Sequence, residues 1–249
     1  MIKKYLKYLY HKTASESTKK LNSLFEKNRD AKFLDLGCWD GSNTIEMGKK
    51  IGTKKLYGIE IVKEKAEIAK KRGIKVYISD LNSKFPLKNK SADVAVAYHV
   101  IEHLSKPDKF IKECYRVLDK EGYLLIGTPN LASWHNIFAL LIGSQPFSGP
   151  HVNDNTHGEI KSVNEVNSDR YEKVFSKNSM KNNSKKEESL RHLVVMTTKA
   201  LKRLLESEGF TVEKIYGFGY HPLPGFAAKL FSGIDPYHSH YIVIKARKN

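Results

Sequence analysis

Apolar residues recur along this chain in short runs separated by longer amphipathic stretches, the pattern of strands joined by helices. Phe33-Leu34-Asp35-Leu36 reads as a buried strand that runs into the glycine turn Gly37-Cys38-Trp39-Asp40-Gly41. A second strand, Lys55 to Ile59, is closed by Glu60, and a third spans Ile74 to Ile78. Between them the spacing predicts a helix over 42–51 and another from Val62 to Arg72, stopped by Gly73 as a C′ glycine. Helices are also expected over 15–28 and from Pro107 to about Leu118, the latter with Ser105 as its cap. Thr197 to Gly209 reads as a capped, glycine-terminated amphipathic helix that feeds a strand from Phe210 to Tyr216. Ser239 to Ala246 alternates as a last strand. Strands and helices in this alternation predict an α/β fold with a doubly wound, Rossmann-like sheet.

A strand, a glycine turn, a helix and an acid at the next strand end together build a nucleoside pocket. Gly37 and Gly41 let the main chain turn sharply and approach a ligand, while the helix from Ser42 offers free N–H groups. Glu60, at the end of the second strand, can accept two hydrogen bonds from a ribose diol. Trp39 occupies the place where a dinucleotide site needs a glycine to approach a pyrophosphate, so a ligand without phosphates is favoured.

Asp35-Leu36-Gly37-Cys38-Trp39-Asp40-Gly41 resembles the D-x-G-C-G-x-G motif of class I S-adenosylmethionine-dependent methyltransferases, of the methyltransferase 11/23 type. Asp80-Leu81 resembles that family's adenine-edge pair. Ala92 to Leu104, which includes Ala97-Tyr98-His99-Val100-Ile101-Glu102-His103, looks like its fourth strand and the loop beyond, and Arg116 to Ile126 like its helix, turn and fifth strand. Five such pieces lie in register across residues 32–130, with a matching tail at 192–247. The resemblance implies about seven strands, mostly parallel with an antiparallel C-terminal strand, and S-adenosyl-L-methionine as cofactor. It implies a cofactor site at Asp35, Gly37, Cys38, Trp39, Gly41, Glu60, Ile61, Asp80, Leu81, Ala97 and Tyr98.

A length of 249 residues suits one such domain, with 131–196 as an insertion after strand five. Trp134, His135, Ile137, Phe138, Leu140 and Leu141 predict an apolar lid helix in its first half, and the Ser-, Asn-, Lys- and Glu-rich 175–189 predicts a mobile loop. The net charge is +16, but it comes from 36 Lys and only seven Arg, which weakens it as a sign of nucleic-acid reading. Two cysteines, Cys38 and Cys114, fit a reducing cytoplasm. The longest apolar run, Ile137 to Ile142, is too short for a transmembrane span, and no apolar core follows the basic N-terminus as a signal peptide requires.

His99, just past strand four, is the candidate base or substrate contact, with His103 beside it. His99-x-x-Glu102-His103 also matches the H-x-x-E-H zinc pattern, but that motif needs a long helix, and this run follows a strand and soon meets Pro107. His151, Asp154, His157 and Glu159 have no recognised ligand spacing and read as an exposed polar loop, so no metal is expected. His192 stands where relatives of the resembling family carry a similar histidine. Tyr216 to Phe226, which joins the last two strands, is a candidate for lining the acceptor site.

The resulting expectation is methyl transfer to a small-molecule, glycan or lipid-linked acceptor, most simply on oxygen. A tRNA or rRNA methyltransferase and a non-catalytic cofactor-binding subunit are the alternatives. RNA and a peripheral membrane surface are the other partners that the charge admits.

Overall fold

The computed structural model describes residues 2–150 and 191–249. The elements run α1 (Ile2–Ser23), β1 (Phe33–Leu36), α2 (Ser42–Ile51), β2 (Leu56–Glu60), α3 (Lys63–Lys71), β3 (Lys75–Ile78) and β4 (Ala92–Tyr98). They continue with α4 (Pro107–Val117), β5 (Leu118–Pro129), α5 (Trp134–Leu141), α6 (Thr198–Ser207), β6 (Phe210–Phe218), α7 (Gly225–Ile234) and β7 (Tyr241–Lys248). Single 3-10 turns lie at Ile101–His103 and Pro236–His238.

The seven strands form one sheet in the order β3-β2-β1-β4-β5-β7-β6. The first five are parallel, and β7 runs antiparallel to both β5 and β6, as the resemblance implies. Strand alternation divides the core. Leu34, Leu36, Ala95, Leu124 and Ile244 pack with Phe110 and Ile111 of α4 and with Leu201 and Leu205 of α6. Phe33, Val94, Val96, Leu125 and Val243 face the other way, onto Leu21, Met47 and Ile51 of α1 and α2. Burial of a side chain such as Phe33 or Phe110 contributes about 1.5–3 kcal/mol.

Three expectations need correction. The N-terminal helix spans Ile2–Ser23 rather than 15–28. Its buried stripe is Leu9, Thr13, Ser17 and Leu21, spaced by four, and the two hydroxyl residues hide it from a hydrophobic pattern. Ser105 does not cap α4: Lys106 occupies that place without a side-chain bond, and the Ser105 hydroxyl lies 3.2 Å from Asn82 Oδ1. The segment after Tyr216 is not just a connector, because β6 runs on to Phe218 and α7 follows. That helix leaves Phe226, Leu230 and Ile234 exposed, so it has no amphipathic signature to read.

The turn expected within 116–126 survives as an irregularity in β5. Ala92 pairs with Leu118 while Val94 pairs with Tyr123, and Glu121 between them has φ +61°. At the other end of β5, fully buried Asn130 ties three stretches of chain together through four bonds. Its Oδ1 accepts from the N–H groups of Ala132 and Thr198, each at 3.2 Å, and its Nδ2 donates to the carbonyls of Tyr237 (2.7 Å) and Ser239 (2.9 Å).

Candidate active site

Parallel strands end together, so the carboxyl ends of β1, β2, β4 and β5 open one crevice. β1 passes into Gly37, whose φ of +79° favours glycine and whose Cβ, if it had one, would lie 2.8 Å from Val100 Cγ2. The Gly37 and Cys38 N–H groups both reach the carbonyl of Ile59, at 2.8 and 3.2 Å, which pins the turn to β2. Trp39 also takes a left-handed backbone, φ +50°, and donates its N–H to Glu60 Oε2 at 2.9 Å while its ring packs under Lys65 Nζ, 4.7 Å from the centroid. Gly41 turns into α2 with its N–H on the carbonyl of Cys38 at 2.9 Å. The irregular residue of the turn therefore contributes through its main chain.

Two carboxyl groups sit behind this turn. Glu60, 5% exposed, also accepts from Val62 N–H through Oε1 at 2.8 Å; burial pushes its carboxyl up despite these bonds. The Ile61 main chain also bonds this carboxylate, which leaves part of its acceptor capacity open. Buried Asp35 accepts from Thr44 Oγ1 at 2.5 Å. Burial raises it to about 6, opposed by the Thr44 bond and assisted by the charge of Glu60. Burial first, and then Asp35 and Glu60, push the Cys38 thiol well above its usual value, so Cys38 is an inert filler; both cysteines are free, as expected.

The other cofactor candidates are placed less alike. Half-buried Asp80 accepts through Oδ1 from the N–H (2.8 Å) and the Nδ2 (3.0 Å) of Asn82, whose own Oδ1 holds Ser105 N–H at 2.9 Å. Leu81 and Ala97 belong to the core, Ala97 in register with Ile126 of β5, and Ile61 is exposed. The Tyr98 hydroxyl engages α1 instead, 3.0 Å from Thr18 Oγ1 and 3.2 Å from Ser17 Oγ.

His99 follows β4 with φ +55° and its N–H on the carbonyl of Gly127 at 2.8 Å, a constrained backbone that fixes the ring. The ring lies edge-on to Tyr98 and Tyr241, and its Nδ1 is 3.2 Å from Oε1 of fully buried Glu102. Glu102 Oε2 accepts from Thr128 Oγ1 at 2.9 Å. Burial would raise this carboxyl, but the His99 bond and the facing charges of His103, His99 and His192 outweigh it and hold it at about 2. Residues 101–103 form a 3-10 turn, so His99 and His103 do not share the long helix that the zinc-protease pattern requires. His103 instead reaches the Arg191 carbonyl through Nδ1 at 2.9 Å and packs edge-on to His192, ring centroids 5.0 Å apart.

Sequence reasoning passed over Thr128 and the role of Glu102, because a threonine in a strand carries no signal until its partner is placed. It also missed a trio of half-buried histidines. His240 Nδ1 lies 2.9 Å from His135 Nε2, and the His221 ring is 4.8 Å from that of His240. Burial drives all three towards the neutral form, His135 to about 3 and His221 to about 4. His151, Asp154, His157, Glu159 and the 175–189 segment lie outside the described residues. None of the described helices is long and apolar enough to cross a membrane.

A seven-stranded sheet with an inserted antiparallel β7, a glycine turn after β1 and an acid closing β2 define the class I S-adenosylmethionine-dependent methyltransferase fold. The family model described as a methyltransferase domain matches residues 5–215, and the chain belongs to that family. It is 41% identical over 94 residues to an uncharacterized protein of Methanocaldococcus jannaschii, over 38% of this chain and 42% of that one. It is 29% identical over 126 residues to a ubiquinone biosynthesis O-methyltransferase of Pelagibacter ubique, over 49% of this chain and 52% of that one. The chain thus spans about half the length of these relatives or less. A solved S-adenosylmethionine-dependent methyltransferase of Mesorhizobium loti superposes with a TM-score of 0.58 at 14% identity, over 92% of this chain and 96% of that one, a likeness of fold.

S-adenosylmethionine, the cofactor of this class, fits the residues present. Gly37 makes a left-handed turn packed so closely on Val100 that a Cβ would collide with it, and the Glu60 carboxylate keeps acceptor capacity for a diol.

Proposed function

We propose that this chain transfers a methyl group from S-adenosylmethionine to an oxygen of a small-molecule, glycan or lipid-linked acceptor. The observation that carries the reading is the pairing of His99 with buried Glu102 at the carboxyl end of β4, one residue from the Val100 that backs Gly37. When bound, the cofactor supplies a methyl on a positively charged sulfur that departs as a neutral thioether. Gly37 lets the cofactor approach a turn whose own N–H groups are bonded within the protein, Glu60 takes the ribose diol, and Asp80 with the main chain at Leu81 takes the adenine edge. Asp35 acts from behind, through Thr44 and the turn.

His99 supplies what an unactivated hydroxyl needs. With Nδ1–H donated to Glu102, the lone pair of the neutral ring is on Nε2, and that nitrogen takes the acceptor's proton as its oxygen bonds to the methyl carbon. Glu102 holds the tautomer and stabilises the imidazolium that forms. An acceptor with apolar bulk is supported by Phe138 and Leu141 of α5 and by Phe226 of α7, all more than half exposed. The similarity to a ubiquinone biosynthesis O-methyltransferase supports oxygen as the accepting atom.

Methyl-labelled donor incubated with purified protein and a panel of phenolic, sugar and prenyl-linked hydroxyl acceptors tests the reading. Label should enter the organic or glycan fraction, and His99→Gln should cut turnover by about 10²–10⁴ while cofactor affinity holds. A second reading, RNA methylation, is favoured by the charge of +16. Label found solely in an RNase-sensitive fraction, with binding that weakens steeply in salt, would establish it in place of the first.

A further inference from the structure

The turn after β4 holds a second constellation, which shares Glu102 with the His99 pair and adds two imidazoles that base catalysis does not use. One ligand atom from each of Glu102, His103 and His192 lies within 4.8 Å of the others. The main chain builds this proximity: the carbonyl of Glu102 accepts the N–H groups of Leu193 at 2.7 Å and Val194 at 3.2 Å, directly after His192. Both imidazoles are also oriented from behind. His103 donates Nδ1–H to the Arg191 carbonyl at 2.9 Å, and His192 donates Nδ1–H to the Ser148 carbonyl at 2.6 Å. A carbonyl only accepts, so these bonds fix the tautomer with its lone pair on Nε2, the arrangement that outer partners impose on metal-binding histidines. The carboxylate is treated likewise, with one oxygen facing His99 and the other held by Thr128, each with a lone pair to spare.

We propose that Glu102, His103 and His192 form a binding site for a divalent transition-metal ion of the zinc class. Two imidazoles and one carboxylate are a donor set suited to zinc, and three protein ligands leave at least one coordination position open. The burial of Glu102 favours a cation there over an exposed acidic cluster, because a buried carboxylate gains most from direct neutralisation. The ligands come from two distant stretches, so the ion would fasten the segment leading into α6 to the turn after β4. The inference rests on this geometry, and Glu102 is the one residue it shares with the methyl-transfer reading.

Chelator-stripped protein titrated with Co²⁺, and then with Zn²⁺ in competition, tests the site. One equivalent of Co²⁺ should bind, with the visible absorption of a four- or five-coordinate nitrogen and oxygen site, and Zn²⁺ should displace it. His192→Ala and, as a second variant, His103→Gln should each weaken binding at least about tenfold, while His238→Ala should not. S-adenosylhomocysteine affinity, measured on the same samples, reports that each variant is folded and keeps the outcome separate from the cofactor site. Absence of saturable Co²⁺ binding in the wild type, or affinity unmoved by both ligand variants, overturns the proposal.

Discussion

Thr128 donates its hydroxyl to Glu102 across 2.9 Å, linking β5 to the turn after β4 at a point where both residues are buried. Thr128→Val keeps the shape and removes the donor, which leaves a carboxylate oxygen buried without that partner. The fold should lose about 1–3 kcal/mol in urea unfolding. Turnover should fall as well, because Glu102 then holds His99 less firmly; an unchanged pH–rate profile would argue against that link.

Gly37→Ala should weaken S-adenosylhomocysteine binding at least about tenfold in calorimetry, since the new methyl points at Val100. The left-handed backbone adds about 1 kcal/mol of strain, and the contact adds about 1 kcal/mol or more. The same change at Gly52, where φ is +90° and a Cβ would meet no neighbour within 4 Å, should cost the backbone strain alone.

Asp35 gives a pH signature. Its folded-state value, raised to about 6 by burial foremost, exceeds the unfolded value of 3.8, so protonation favours the fold. This contribution is complete below about 3.8 and is lost as the pH rises through about 6. Relative to Asp35→Asn, the wild type should therefore lose on the order of 3 kcal/mol between pH 4 and pH 7. A stability difference between the two that stays flat over this window would show that ionised Asp35 is not penalised.

Asn130→Ala removes two acceptor and two donor contacts at once. The expected loss is about 3 kcal/mol or more by thermal or urea unfolding, with amide exchange accelerated first at Thr198 and in the 3-10 turn at Pro236–His238.

The parts of this molecule legible in its sequence are those set by local pattern. The glycine turn, Glu60 at the end of β2, Gly73 after α3 and the Thr197 cap of α6, whose side chain accepts from Ala200 N–H, all stand where spacing puts them. What escaped depends on partners far along the chain. The stripe of α1 is half hydroxyl because Thr13 meets His221 and Ser17 meets Tyr98, and α7 carries apolar residues that nothing described covers. Trp39 looked like an obstruction as a side chain, whereas its left-handed backbone presents an N–H to Glu60. His192 was visible as a residue, but only the ladder from Glu102 to Leu193 and Val194 shows what it faces.

The strand order has a consequence for how the chain is made. β7 lies between β5 and β6 yet follows both in sequence, so neither has its sheet neighbour on that side until β7 has emerged. During synthesis the N-terminal five strands can assemble as a parallel half-sheet while β5 presents an open, apolar edge. Insertion of β7 closes that edge in one late, long-range step, and it is the interval in which this protein is most exposed to aggregation and to chaperone capture.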